Sequence, residues 1–170
     1  MICGIGAYEG DKLRLYGHGL IERQQRGPAG LDEPATCTII LARRYLCNVC
    51  GAVMIVVPAS CAPGKHFSGA AIALALALWG GARRSAAAVR EKVNDWKRVG
   101  PATRGWRSLQ RWARAAAAGE LFKDLALGTM TCGPRECARR AAQALSGLAP
   151  FEWRSAPIWH QSQIGASHVS

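Results

Sequence analysis

The sequence predicts an α+β fold in which a β-rich segment comes first and a helical segment follows. Residues 1–57 contain extended runs rich in Leu, Ile, Val and Thr, separated by glycine and proline. Beyond the linker 58–65, alanine-rich runs preceded by helix-capping serines replace them. With 170 residues, of which 49% are hydrophobic, the chain can bury one ordinary core or two small ones.

Three extended runs make up the predicted β module. The first consists of residues 13–16 and 20–21, which flank Gly17-His18-Gly19, so His18 is expected in a hairpin. The second run covers 36–46 and the third 53–57, and a turn-rich loop at 27–34 separates the first two runs. These runs predict a small sheet over residues 1–58.

The helical segment begins at Ser68, a good N-cap for an almost wholly apolar helix that ends at Gly80-Gly81. Such a helix should lie at the centre of a small bundle. Ser85 caps a second helix, whose apolar stripe should contain Val89, Val93 and Trp96.

A third helix should end at Gly119, and a fourth should run from Pro134 to about Ser146. Its inward face is expected to hold Cys137, Ala138, Ala141, Ala142 and Leu145. The order of helix, turn, helix, turn and basic helix is typical of a helix-turn-helix DNA reader, although the turn at 97–103 is longer than usual. The domains predicted are therefore 1–58, a β module, and 67–147, a helical domain, followed by a tail at 148–170 without clear periodicity.

The third helix has an arginine face. Its arginines recur at intervals of three, four and three residues, and Ser108 and Gln110 lie beside them; they are Arg104, Arg107, Arg111 and Arg114. The opposite face gathers Trp106, Leu109, Trp112, Ala113 and Ala116. This pattern predicts a helix that packs by its tryptophans and contacts phosphates or bases with its arginines.

The positive charge is concentrated in the same region. Residues 83–114 hold ten Lys and Arg against two acids, which is +8 of the net +11 of the chain. A local basic patch suits a polyanion, whereas the alternative is an ordinary solvated helix. The tryptophans opposite the arginines favour the first interpretation.

A second motif, Cys47-Asn-Val-Cys50-Gly51, lies between two predicted strands. Two thiolates at this spacing can bind one metal ion, and the glycine lets the backbone turn toward sulfur, as in a zinc knuckle. The alternative of a redox dithiol lacks the expected βαβ context. Cys132 and Cys137 are expected to be core or surface thiols.

These residues resemble a known family. The segment 43–58, preceded by Tyr16-Gly-His-Gly19 and by residues 23–27, is similar to the zinc ribbon at the front of many bacterial transposases. The segments 67–80 and 106–114 resemble a bacterial transposase-like family that joins such a ribbon to a helix-turn-helix. The resemblance covers roughly residues 3–145 and implies structural zinc at Cys3, Cys47 and Cys50, with DNA contacts from the arginine helix. It supplies no activity to transfer.

The fourth zinc ligand is not identified, because the cysteine expected three residues before Cys3 would fall just before Met1. The true start then lies upstream, or another group substitutes. Four residues are candidates for that substitute: His18, Cys37, Cys61 and His66.

The predicted function is that of a DNA-binding protein, derived from or associated with a transposon, and not of an enzyme. The scattered acids do not suit a two-metal catalytic site, and no phosphate-binding loop or nucleophile motif is present. The alternatives are a zinc-ribbon module that binds RNA or an acidic protein, and a non-catalytic transposase fragment. The expected partner is double-stranded DNA, with a transposase or a second copy left open.

The expected location is the cytoplasm, in association with the nucleoid. The sequence opens without the basic start and apolar run of a secretory signal. The longest apolar stretch, 70–79, is about half of what a membrane span needs, so no membrane partner is expected.

Overall fold

The computed structural model describes residues 8–10, 12–62, 64–96, 105–123, 125 and 132–169. It confirms the mixed α+β class, with a three-stranded antiparallel sheet and five α-helices in those ranges. The chain divides into two compact units. One contains Met1–Gln24 and Ile39–Pro58, and the other contains Gln25–Thr38 and Ala59–Ser170.

The first unit is built from strands. A short antiparallel pair, β1 (Tyr8–Glu9) and β2 (Lys12–Leu13), precedes three longer strands. These are β3 (Leu15–Pro28), β4 (Ala35–Cys47) and β5 (Val53–Val56), in the order β3-β4-β5. The ends of β3 and β4, residues 25–28 and 35–38, are counted with the second unit.

The hairpin predicted at Gly17-His18-Gly19 is wrong, because β3 continues through these residues. Gly19 has a φ of +82°, a conformation that glycine tolerates inside a strand. Since β4 is also long, pairing along its length offers β3 hydrogen bonds that a reversal after Tyr16 would forgo. The extended runs at 36–46 and 53–57 are confirmed by β4 and β5 to within one residue at each end.

The second unit contains the five helices, whose bounds are α1 (Gly69–Leu76), α2 (Ala86–Val93), α3 (Arg107–Ala117), α4 (Pro134–Gly147) and α5 (Ile158–Gly165). A π-helical segment, Ala77–Gly81, extends α1. Ser68 Oγ accepts a hydrogen bond from the Ala71 amide at 3.0 Å, and Ser85 Oγ accepts one from Ala88 at 3.1 Å. The starts predicted at Ser68, Ser85 and Pro134 are therefore confirmed.

The core of this unit surrounds α1, as the sequence predicts. Every residue of Ala71–Leu76 is buried, and α1 packs against each of the other four helices. All five residues predicted to face inward on α4 are buried. Because α1 is apolar on all sides, only a central position removes each of its faces from water.

Trp96 departs from its predicted place in the apolar stripe of α2. The helix ends at Val93, and Asn94 is extended, so the helical period no longer applies at residue 96. The Trp96 side chain is half exposed, and the guanidinium carbon of Arg26 lies 3.7 Å from its ring centroid.

The segment after residue 148 contains α5, for which the sequence gives no periodic signal. Its buried residues are Ser162, Gln163 and Gly165, none of which is a large hydrophobe. The Ser162 hydroxyl lies 2.8 Å from the Ala142 carbonyl oxygen of α4 and 2.7 Å from that of Ile158. Hydrogen bonding, close backbone approach and the packing of half-buried Trp159 against the core therefore dock α5.

Two glycines bring the backbone of neighbouring elements against α4. A Cβ atom on Gly80, in the π-helical segment, would lie 2.8 Å from the Ala138 carbonyl carbon. One on Gly165 of α5 would lie 2.9 Å from the Leu145 carbonyl carbon. Both contacts are closer than side chains allow, so α4 is approached at backbone distance by two different elements.

Cys132 and Cys137, expected as thiols, form a disulfide across the start of α4. Their Cα atoms lie 6.0 Å apart, a separation that a disulfide can bridge. No helix within the described ranges of the chain combines the length and the apolar composition needed to cross a bilayer.

Candidate nucleic-acid interface

The arginine face of α3 points to solvent. Arg107, Arg111 and Arg114 are exposed, Gln110 is exposed beside them, and Ser108 is half-buried. Arg104 lies outside the described residues. The sequence prediction that these side chains face away from the tryptophans is therefore confirmed for the arginines of α3 itself.

The charge of this face is not neutralised within α3, because the helix contains no acidic residue. Among the residues that the structure describes, neither Arg107, Arg111 nor Arg114 forms an ion pair. The Ser108 hydroxyl accepts a hydrogen bond from Arg111 Nη2 at 3.4 Å, which orients one guanidinium along the helix. Three guanidiniums on successive turns can therefore each donate several hydrogen bonds to an anion.

An aromatic cluster of Phe67, Trp106 and Trp112 packs beneath the helix. All three pairs of rings meet edge to face, with centroids 5.8 Å apart for Phe67 and Trp106, 5.0 Å for Phe67 and Trp112, and 4.9 Å for the tryptophans. Trp112 is 4% exposed, and Leu109 beside it is fully buried. This packing fixes the rotation of α3 about its axis and so keeps the arginines outward.

Phe67 is itself held by the backbone. Phe67 and Arg26 form a parallel β-bridge. The Arg26 amide donates a hydrogen bond to the His66 carbonyl at 2.7 Å, and the Arg26 carbonyl accepts one from the Ser68 amide at 3.1 Å. The aromatic cluster therefore rests on hydrogen-bonded backbone and not on side-chain packing alone.

A side chain of α2 contacts the segment just before α3. Arg90 is 7% exposed and donates from Nη2 to the carbonyl oxygen of Gly105, two residues before α3 begins. A buried guanidinium that donates to a backbone carbonyl is a directional contact. It ties the position of the start of α3 to α2.

The Cys47–Cys50 motif forms the tight turn between β4 and β5. The Cys47 amide donates to the Ala52 carbonyl and the Gly51 amide donates to the Cys47 carbonyl, both at 2.9 Å. Gly51 has a φ of +70°, which a glycine adopts without steric cost. Cys47 is buried and Cys50 is exposed. The turn thus presents two thiols at its two ends, half of the four ligands that a structural zinc needs.

The other half of that set is not assembled from described residues. Cys3 lies outside them, and within the described ranges no three His, Cys, Asp or Glu side chains come together as a metal site. Of the substitutes considered, His18 and His66 are exposed, Cys37 is half-buried and Cys61 is buried. The zinc site and its fourth ligand therefore stay predictions.

Sequence reasoning missed a pair of titratable residues in the second unit. His160 Nε2 of α5 lies 3.2 Å from Asp32 Oδ1, which belongs to the loop before β4. The two residues are 128 positions apart, and neither belongs to a recognisable motif. Only the docking of α5 brings them together, so no local pattern could have indicated the pair.

Comparison with known protein families, with characterised proteins and with solved structures gives no match to this chain. The resemblance to transposase-like proteins is therefore a prediction from the sequence motifs alone.

Proposed function

We propose that this protein binds double-stranded DNA through the arginine face of α3 and that it is not an enzyme. The observation that carries the proposal is the row of Arg107, Arg111 and Arg114, exposed on successive turns and without ion pairs among the described residues. A cationic row on a helix of this width matches the major groove, where guanidiniums contact phosphates and guanine edges. Arg104, Ser108 and Gln110 would extend the contact surface.

In this proposal α2 and α3 act as the two helices of a helix-turn-helix. The contact from Arg90 to Gly105 supports it, because it would hold the start of α3 at a fixed position relative to α2. The aromatic cluster would hold the opposite face of α3 against the bundle. A flexible basic segment loses conformational entropy when it becomes ordered on binding. Because α3 is already folded and held in place, it would avoid this cost.

The proposal includes a zinc ribbon in the first unit. Cys47 and Cys50 would supply two thiolates and Cys3 a third, and the bound ion would stabilise the hairpin between β4 and β5 structurally. The closed turn with Gly51 in a left-handed conformation supports this assignment. Because the motifs resemble those of transposase-like proteins, the proposal also includes an association with a transposon and with the nucleoid.

The salt dependence of DNA binding tests the surface. Each phosphate contact releases counterions, so the logarithm of affinity falls with the logarithm of salt by about 0.9 per phosphate. We expect the double variant Arg111→Gln/Arg114→Gln to bind random-sequence duplex DNA more weakly, with a slope shallower by about two. The measurement is fluorescence anisotropy over a series of salt concentrations.

The matched control is Lys123→Gln/Arg154→Gln, which removes two exposed charges elsewhere in the same unit. It should leave the slope nearly unchanged. Equal slopes for both double variants would show that a diffuse basic surface drives binding and would refute the assignment to α3. Tighter binding to single-stranded RNA of the same length would favour the RNA-binding alternative.

A further inference from the structure

The second unit contains a cleft that the proposed DNA-binding surface does not use. Its volume is about 280 Å³, and it lies among α1 with its π-helical extension, α2, α5 and the loop before β4. Pockets for drug-sized ligands occupy roughly 300–1,000 Å³, so this cleft suits a small metabolite better than a nucleotide.

One part of the lining is apolar. Leu74 and Leu78 come from α1 and its extension, Val89 comes from α2, and the Trp159 ring comes from α5. Leu74 and Val89 belong to the buried core, while Trp159 is half-buried. These surfaces would take up an aliphatic or aromatic side chain of a ligand and remove it from water.

The rest of the lining carries charges of both signs on separate elements. Arg84, just before α2, and Lys92, in its last turn, supply the positive charges. Asp32 and Glu33 of the loop before β4 supply the negative ones. Asp32 lies against His160, whereas Glu33 forms no ion pair among the described residues. A ligand that carries both a carboxylate and an ammonium group would find a counter-charge for each.

Gln163 holds one wall of the cleft in place. The residue is 4% exposed and lines the cleft, and its Nε2 donates to the Gly30 carbonyl at 3.2 Å. This hydrogen bond holds the loop before β4, which carries Asp32 and Glu33, against α5.

We propose that this cleft binds a free amino acid with a large apolar side chain. The side chain would pack on Trp159 and Leu78, and the carboxylate would face Lys92 and Arg84. The ammonium group would face Glu33. The site and the arginine face of α3 share no residue, so binding of the amino acid does not depend on the proposed DNA-binding function.

Isothermal titration calorimetry with the full chain tests the site, and L-tryptophan is the first probe. Indole-3-propionate lacks its amine and tryptamine lacks its carboxylate, so we expect each analogue to bind at least about tenfold more weakly, as loss of one charge-assisted contact predicts. L-Phenylalanine and L-leucine extend the apolar series. Absence of binding by all three amino acids at millimolar concentration would overturn the proposal, and so would an analogue that binds as tightly as tryptophan.

Variants locate the site. Lys92→Gln and Glu33→Gln should each weaken tryptophan binding about tenfold or more. The controls Lys123→Gln and Glu152→Gln change exposed residues that do not line the cleft and should bind like the parent. Ala88→Phe places a ring at an exposed position of the cleft wall and should abolish binding while circular dichroism shows the parent helix content. Unchanged binding by the folded Ala88→Phe variant would overturn the assignment to this cleft.

Discussion

Glu136, in the first turn of α4, accepts hydrogen bonds from two arginines that follow it on the same helix. Arg139 donates through two nitrogens at 2.6 and 2.7 Å, and Arg140 donates through one at 2.9 Å. These hydrogen bonds lower the pKa of the Glu136 carboxyl to about 2, and those from Arg139 contribute most. At neutral pH the two arginines are therefore engaged with an acid of α4, unlike those of α3.

This pKa shift predicts a pH-dependent stability. The folded pKa of Glu136 lies below the ordinary value of 4.5, so its contribution is fully present above that value and is lost as the pH falls toward 2. We expect the loss of stability caused by Glu136→Gln to be constant between pH 7 and pH 5 and to shrink at more acidic pH. Urea unfolding of parent and variant at each pH measures it.

Glu152→Gln is the control, since it removes an exposed carboxylate without an ion pair among the described residues. Its effect should vary much less with pH. An effect of Glu136→Gln that stays the same down to pH 3 would contradict the role assigned to the two arginines.

The residues that the sequence places correctly are those with local periodicity. Trp112 and Arg111 are adjacent in sequence, and one is buried and the other exposed because a helix turns by about 100° per residue. Gln163 and Asp32 could not be recognised in this way, because the cleft that they line is formed by segments far apart in the chain. Side chains whose role depends on tertiary contacts leave no periodic signal.

At the scale of elements, the starts of the helices were predictable because a capping serine or a first-turn proline is a local signal. The course of β3 through Gly17-His18-Gly19 was not predictable, because two glycines near one another are equally typical of a turn and of an irregular strand. The helix α5 was missed for a different reason. Its buried residues, Ser162, Gln163 and Gly165, are polar or small, and hydropathy does not distinguish such residues from surface residues.

The close approach of the π-helical segment to α4 predicts the effect of a substitution at Gly80 on stability. Gly80→Ala would place a methyl group against the backbone of Ala138 and Arg139, which cannot move without displacing α4. We expect a loss of roughly 1–3 kcal/mol in the free energy of unfolding, as for other overpacked sites. Chemical denaturation measures the difference.

Gly147→Ala is the matched control, because a Cβ there meets no atom within 4 Å and α4 is helical up to this residue. It should leave the stability unchanged or raise it by up to about 1 kcal/mol, as Gly to Ala changes in helices do. A Gly80→Ala variant as stable as the Gly147→Ala variant would show that the two segments are not in backbone contact.

At the scale of the whole molecule, the chain combines a strand-built unit and a helical unit that have separate chemical features. The cysteine turn belongs to the first unit, and the arginine face and the cleft belong to the second. The α+β class and the order of the two kinds of structure were predictable from composition. The assignment of residues 25–38 to the helical unit was not predictable from composition. It depends on contacts between residues that lie 30 or more positions apart in the chain.

The proposed zinc ribbon predicts that protein purified from zinc-supplemented cells contains about one zinc per chain, as one structural site would. Cys47→Ser should lose the metal and destabilise the hairpin, because metal binding and folding are coupled at such sites. Elemental mass spectrometry and limited proteolysis measure the two effects. Val49→Ser changes an exposed residue of the same turn and should retain the zinc. Folded parent protein that contains no zinc would rule out the ribbon.

The two glycines that meet α4 also limit how this chain can diverge during evolution. Most surface residues, including the arginines of α3, can be exchanged without loss of the fold, whereas any side chain at residue 80 or 165 would overlap a neighbouring backbone. The constraint acts on stability and therefore does not depend on what the protein binds. A distant relative with the same helical unit is therefore better identified by glycines at these two positions than by its charged residues.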